Sequence, residues 1–272
     1  MIFEHEDEAI AWFDGQERVL TSEFLNSIPW HDVSRYKLRP EFLPVLLYMR
    51  DIEKSTEIYY AQLQRTPTGR NPAVKRFMDR WGSEESLHGD LLNRFLGEAG
   101  YETNANWFEQ MKARLSRRYH LQERVMGSIT NLWGRKFSGV HMAWGAVQEL
   151  STLSGYERLW TLAKHPVLEY LLRAIAREEA RHSLFYWSVA NILLKRYPSS
   201  QKLARYLIDY FWKPVGEGIK TQDESNYLVN TLFSGKDGLE IMTKRVNDRM
   251  AQLPGFETFT RVHDRIAQAR PA

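Results

Sequence analysis

Glu84-Glu85-Ser86-Leu87-His88 and Glu178-Glu179-Ala180-Arg181-His182 carry one spacing twice, Glu-x-x-His, each inside a strongly helical stretch. Three residues is close to one helical turn, so carboxylate and imidazole leave the same face. Two such faces turned toward each other can hold a pair of metal ions. One Glu-x-x-His pair arises readily by chance in a helical chain, and on a surface it is often only a solvated pair. The neighbours argue otherwise. Phe77, Trp81, Leu87, Leu91, Leu92 and Phe95 surround the first pair, and Leu171, Leu172, Ile175, Leu184, Phe185 and Val189 the second, so His88 and His182 adjoin apolar faces.

Helical periodicity extends from these segments along nearly the whole chain, and no clear period-2 run competes with it. A helical segment is expected over about residues 6–27, ending near Pro29-Trp30. Pro40 opens a long helix that runs to about Gln64, where Thr66-Pro67-Thr68-Gly69 stops it. Asn71-Pro72 starts the next, which ends near Gly97 or Gly100. A shorter helix is expected over about 104–119 and a long one from Gln122 to Lys164. Pro166 opens another that ends before Pro198. Shorter helices fill about 199–270. The expectation is an all-α protein with a four-helix core over about 40–197 and accessory helices over 1–30 and 199–270. No linker rich in Gly, Ser or Pro divides it, so residues 1–272 read as one domain.

A paired metal site in a helical bundle takes one Glu from each of two helices and Glu-x-x-His from each of two others. Carboxylate oxygen and imidazole nitrogen suit ferrous iron, and four carboxylates balance two Fe²⁺ ions in an apolar interior. The pairs here are Glu85 with His88 and Glu179 with His182. Glu149, in the amphipathic stretch before the second pair, is the lone Glu for that half. The first half offers Glu53 and Glu57. Spacing does not separate them. The apolar stripe through Phe42, Val45, Leu46, Met49, Ile52, Tyr60 and Leu63 puts Glu53 nearer its centre, so Glu53 is preferred and Glu57 stays in competition.

Composition sets the outer bounds. Of 272 residues, 43% are hydrophobic, 26% charged and 13% aromatic, an ordinary globular profile. A formal net charge of +3 gives nucleic-acid binding no support. With no cysteine, disulfides, thiolate catalysis and iron–sulfur clusters are excluded. The acidic start has no apolar core of a secretory signal, and no apolar run approaches the length of a membrane span. A cytoplasmic location is the resulting expectation.

At these residues the chain resembles the soluble acyl-carrier-protein desaturases of the ferritin-like superfamily. The segment from Trp81 to Asn93 resembles that family's Trp-x-x-Glu-Glu-x-x-His-Gly-Asp-Leu-Leu-Asn pattern, well beyond the ligands themselves. Ile175 to His182 is similar to its second pair, in which an acidic residue also precedes the ligand Glu. Gln148-Glu149-Leu150-Ser151-Thr152 resembles the Gln-Glu-x-x-Thr segment that supplies a bridging Glu and a Thr near the oxygen pocket. The likeness covers about residues 40–197. The helix carrying Glu53 and Glu57 does not align cleanly, and residues 200–272 do not match.

The resemblance implies a ferritin-like four-helix bundle with Glu85, His88, Glu149, Glu179 and His182 as ligands to two iron ions. It implies Thr152 as an oxygen- or proton-handling residue, although a helical Thr often just bonds back one turn. It implies O₂-dependent desaturation of a fatty acyl chain carried by acyl carrier protein, electrons from an external donor such as ferredoxin, and a homodimer. Such a carrier is acidic, and Lys112, Arg114, Arg117 and Arg118, Arg135 with Lys136, or Lys244, Arg245 and Arg249 could receive it, though charge runs are usually solvated faces. The alternatives are a di-iron oxygenase or hydroxylase acting on an amine or another acyl group, an iron-binding ferritin-like protein without oxidase activity, and a metal-free helical scaffold.

Overall fold

The structure, a computed structural model, describes residues 3–104, 106–113 and 133–268. Two long antiparallel hairpins form its centre. Helices α3 (Phe42–Leu63) and α4 (Pro72–Glu98) make the first, and α6 (Arg135–Ala163) and α7 (Pro166–Arg196) the second. Local chemistry sets their ends. Asn71 caps α4 by accepting from the amides of Ala73 and Val74, with Pro72 at the first turn. Lys164 takes a left-handed backbone (φ 51°), and His165 then caps α7 ahead of Pro166, so only two residues turn the chain. So short a connection makes its helices antiparallel neighbours.

The hairpins close into a ring of four helices, α3–α4–α7–α6. At Gly145 on α6 a Cβ would lie 2.3 Å from the Tyr186 ring on α7, so only glycine allows that approach. Phe77 stacks on Phe185 with ring centroids 4.0 Å apart and joins α4 to α7. Each remaining groove of the bundle has its own cover. Helix α1 (Glu6–Asp14) packs on α4 and α7, with Phe13 seated against Phe77 and Phe185. The C-terminal part covers the opposite side, over α3 and α6. It comprises α8 (Pro198–Phe211), α9 (Gln222–Phe233), α10 (Gly235–Met242), a π-helical turn at Thr243–Asn247, α11 (Asp248–Met250) and α12 (Arg261–Gln268).

The four long helices and the broken C-terminal region follow the sequence pattern closely. The N-terminal segment differs. It splits into α1 and α2 (Ser22–Ser27), because α1 stops at Asp14-Gly15 and the chain crosses the bundle before Thr21 caps α2. The helix expected over 104–119 is seen as α5 (Trp107–Ala113), and that expected from 122 begins, among the described residues, at Arg135. Arg114, Arg117, Arg118 and the rest of 114–132 lie outside the described residues. No strand occurs among the described residues, and no described helix is long and apolar enough to cross a membrane.

Candidate metal centre

Glu53, Glu85, His88, Glu149, Glu179 and His182 converge from four helices on one buried spot, none more than 7% exposed. Their ligand atoms fall into two groups, Glu53–Glu85–His88–Glu179 and Glu85–Glu149–Glu179–His182, within each of which one atom per residue lies within 4.8 Å of the others. Glu85 and Glu179 belong to both groups, whereas Glu53 with His88, and Glu149 with His182, serve one each. Were two ions held here, the shared position that the resemblance implied for Glu149 would fall to the two Glu-x-x-His carboxylates. Glu57, the competitor of Glu53, is exposed and engaged by Ser86 (2.8 Å) and Lys54 (3.1 Å). One turn separates the two, and only Glu53 faces inward.

The imidazoles are held from outside by acids of the opposite hairpin. His88 on α4 turns Nε2 to Glu178 on α7 (3.0 Å), and His182 on α7 turns Nε2 to Glu84 on α4 (2.8 Å). Each Nδ1 faces the carboxylates, at 3.1 Å from Glu179 for His88 and 2.9 Å from Glu85 for His182. The outer acids are held in turn. Arg80 donates to Glu84 (2.7 Å), and the amides of Val19 and Leu20 donate to Glu178 (2.8 and 3.2 Å). Acid partners of this kind fix the tautomer and aim of metal-binding histidines. Two further donors orient the lone glutamates: Tyr156 to Glu53 (2.6 Å) and Trp81 to Glu149 (3.0 Å).

Whether these residues suit a cation is tested by which atoms lack partners. Buried polar atoms are almost always hydrogen-bonded. Yet Glu53 Oε2, Glu85 Oε1, both oxygens of Glu179, and Nδ1 of both His88 and His182 are buried without a hydrogen bond. These are the inward atoms of the two groups, while the outward atoms of Glu53, Glu149, His88 and His182 are all taken. The donor set fits a pair of divalent ions.

Electrostatics adds a pH dependence. Burial, then the charges of Glu179, Glu53 and Glu149, push the Glu85 carboxyl well above its usual range, and burial and Glu53 do the same to Glu179. Burial would lower His88, but Glu178, Glu179 and Glu53 override it and hold the ring well above the usual histidine value. Burial likewise acts to raise Glu178, but its bonds from His88 and the two amides bring it down to about 2. A folded-state pKa above the unfolded one gives stability that is full below the unfolded value and is lost as pH rises through the folded one. The metal-free protein is therefore expected to lose the contributions of Glu85, Glu179 and His88 as pH rises. Metal uptake displaces those protons, so its affinity rises with pH. Anaerobic Fe²⁺ titration in two buffers of different ionisation enthalpy measures the released protons; no release between pH 6 and 8 would contradict this electrostatic picture.

Glu53 also lines a narrow apolar cavity with about 60 Å³ of room for water-sized centres, or about 550 Å³ when all unoccupied space, part of it open solvent, is counted. Its walls come from α3 (Met49, Ile52), α6 (Ser151, Thr152, Gly155), the stretch Trp212–Val215, and the C-terminal helices (Leu232, Phe233, Met242, Ile266). Thr152 thus lines the cavity together with Glu53. Its neighbours Ser151 and Ser154 bond back to the carbonyls of Val147 and Leu150; among the described residues no such bond holds Thr152. Sequence reasoning left unassigned the parts played by Trp81, Glu84, Tyr156 and Glu178. Tyr156 lies two turns after Glu149, on the same face, the signal that could have found it.

Of the basic groups considered for docking, Arg245 is paired with Glu157, Lys244 with Glu240, and Arg249 lies over the Trp187 ring. They are occupied within the fold.

The sequence profile of the fatty acid desaturase family matches residues 55–208, more than half of the chain and starting two residues after Glu53. No curated protein sequence matches. Among solved structures, the chain is similar to the X-ray structure of DesA2 from Mycobacterium tuberculosis H37Rv, provisionally assigned as an acyl-ACP desaturase. The TM-score is 0.57 at 16% identity, over 94% of this chain and 96% of that one. That coverage takes in most of residues 200–272, for which the sequence offered no match. The likeness is one of fold, and it joins the profile match and the helical bundle in one conclusion: the chain belongs to the fatty acid desaturase family.

Proposed function

We propose that Glu53, Glu85, His88, Glu149, Glu179 and His182 hold two ferrous ions, and that the protein uses O₂ to introduce a double bond into a fatty acyl chain. The observation that supports this most directly is the pair of inward-facing donor groups sharing Glu85 and Glu179, set beside an apolar cavity. Bound iron would supply the activation of O₂. The rest falls to the chain's own residues. The cavity would take the acyl chain lengthwise against α3 and α6 and keep water from the reacting carbons. Thr152, which lines the cavity one helical turn from Glu149, would pass protons between the two. Tyr156 and Trp81 hold Glu53 and Glu149 by their outer oxygens, leaving the inner oxygens for metal.

The family resemblance supports acyl carrier protein as the bearer of the chain, ferredoxin as the electron donor, and a cytoplasmic homodimer. Product mass decides the reaction. Iron-loaded protein given acyl carrier substrate, reduced ferredoxin and O₂ is expected to yield a product lighter by two hydrogen atoms. A product heavier by one oxygen atom would make the protein an oxygenase instead.

A further inference from the structure

Helix α8 is apolar over more of its circumference than the fold buries. Ser200, Ala204 and Ile208 face inward and are buried. Tyr206 (52% exposed), Tyr210 (68%) and Phe211 (56%) face out, and half-buried Leu203 and Leu207 join the two sides. Positions 203, 206, 207, 210 and 211 recur at helical spacing and make one stripe. Its rings form a single cluster: the centroids of Tyr206 and Tyr210 lie 4.7 Å apart, and those of Tyr206 and Phe211 6.3 Å. The charges along residues 198–213 are mostly positive. Lys202, Arg205 and Lys213 face a single acid, Asp209, which Arg205 takes up at 2.5 Å. Lys213 pairs with Glu217, whereas Lys202, exposed one turn before Tyr206, has no acid partner among the described residues. The stripe ends where the cavity begins. Trp212 follows Phe211 directly and lines the cavity with Pro214 and Val215.

We infer that this stripe seats the protein on the surface of an anionic lipid bilayer. Tyrosine and phenylalanine beside lysine suit the headgroup zone, where the ring finds apolar surroundings while hydroxyl and ammonium stay wet. Positive charge at the border selects anionic headgroups. A second copy of this chain fits the stripe less well. The exposed parts of the three rings offer on the order of 400 Å², and a stable interface takes about 800 Å² from each partner. An acidic carrier protein also fits less well, because the centre of the stripe is aromatic and Arg205 is held by Asp209 and Thr258. A lipid surface sets no such minimum: its hold grows ring by ring and charge by charge. The purpose of the contact rests on the reading of the cavity as an acyl site. Seated this way, the wall that starts at Trp212 adjoins the phase into which acyl chains partition.

The test uses full-length, iron-loaded protein and vesicles of phosphatidylcholine, alone or with about one third phosphatidylglycerol. The protein is expected to sediment with the anionic vesicles and to be released from them by high salt. Tyr206→Ser with Tyr210→Ser and Phe211→Ser weakens this binding by at least about 10-fold. Lys202→Glu weakens it by at least about 3-fold, on anionic vesicles only. Iron content stays at the wild-type value in both variants. The chain has no cysteine, so Tyr210→Cys, or Glu23→Cys on α2, can carry one polarity-sensitive dye. Vesicles should shift its emission to the blue at position 210 and leave it unchanged at position 23. Equal vesicle binding by the triple variant, or an unshifted dye at position 210, would overturn the inference. So would a lipid-free dimer that the triple variant loses, which would give the stripe to a second copy. Binding of an acyl carrier protein that the triple variant loses, with no binding to vesicles, would overturn it as well. Vesicle binding by a protein that takes up no iron would instead remove the di-iron reading and leave the lipid-facing surface standing.

Discussion

Glu85→Ala is expected to abolish binding of both metal ions, while Glu149→Ala retains about one of the usual two. The difference follows from the sharing of Glu85 between the donor groups and the confinement of Glu149 to one. Metal analysis after anaerobic Fe²⁺ loading and desalting reads the result directly, and two ions retained in Glu85→Ala would refute the proposed ligand set. Stability should move with occupancy. In the metal-free protein Glu85 is buried among Glu179, Glu53 and Glu149, whose charges all oppose its ionisation. Glu85→Gln keeps the volume and removes that repulsion, so its metal-free form should melt no lower than metal-free wild type. What it loses is the gain on adding iron, about 2.7 kcal/mol at a free metal concentration near 100 times the dissociation constant. A stability loss of the same size with and without iron would point to a merely structural carboxylate.

Gly155→Leu is expected to block the acyl chain. Gly155 lies on α6 beside the cavity, where an added Cβ would meet Met49 at 3.7 Å and Leu232 at 3.9 Å, ordinary contacts. A methyl group is therefore tolerated, and Gly155→Ala should stabilise the helix by up to about 1 kcal/mol. Leucine has nowhere to go but into the cavity. With iron content unchanged, kcat/KM on long acyl chains should fall by at least about 100-fold, the scale of loss when a substrate is displaced from its reactive position. Short chains should suffer less. Equal losses at every chain length, or none, would remove the cavity from the reaction.

The long helices were legible because proline, asparagine and glycine punctuate them and their apolar residues keep a helical period. The core of the donor set was legible for the same reason: periodicity alone favours Glu53 over Glu57, and the structure turns the first inward and the second to Ser86 and Lys54. The outer layer was not. Glu84 and Glu178 stand in plain view ahead of Glu85 and Glu179, but each serves an imidazole of the other hairpin, and no spacing along one helix encodes a contact across two. Val19 and Leu20 act through backbone amides, which any residue but proline provides, so their part leaves no mark in the side chains. The cavity was hidden in another way. Its far wall comes from Trp212 to Ile266, short helices whose apolar residues look like ordinary core until their docking on α3 and α6 is known.

The crossed pairing of Glu84 with His182 and Glu178 with His88 makes the two hairpins mutually dependent. Neither can tune its own imidazole; each sets the basicity of its neighbour's. A substitution at either acid is therefore felt first by the opposite segment, like strain passed between the halves of a clasp.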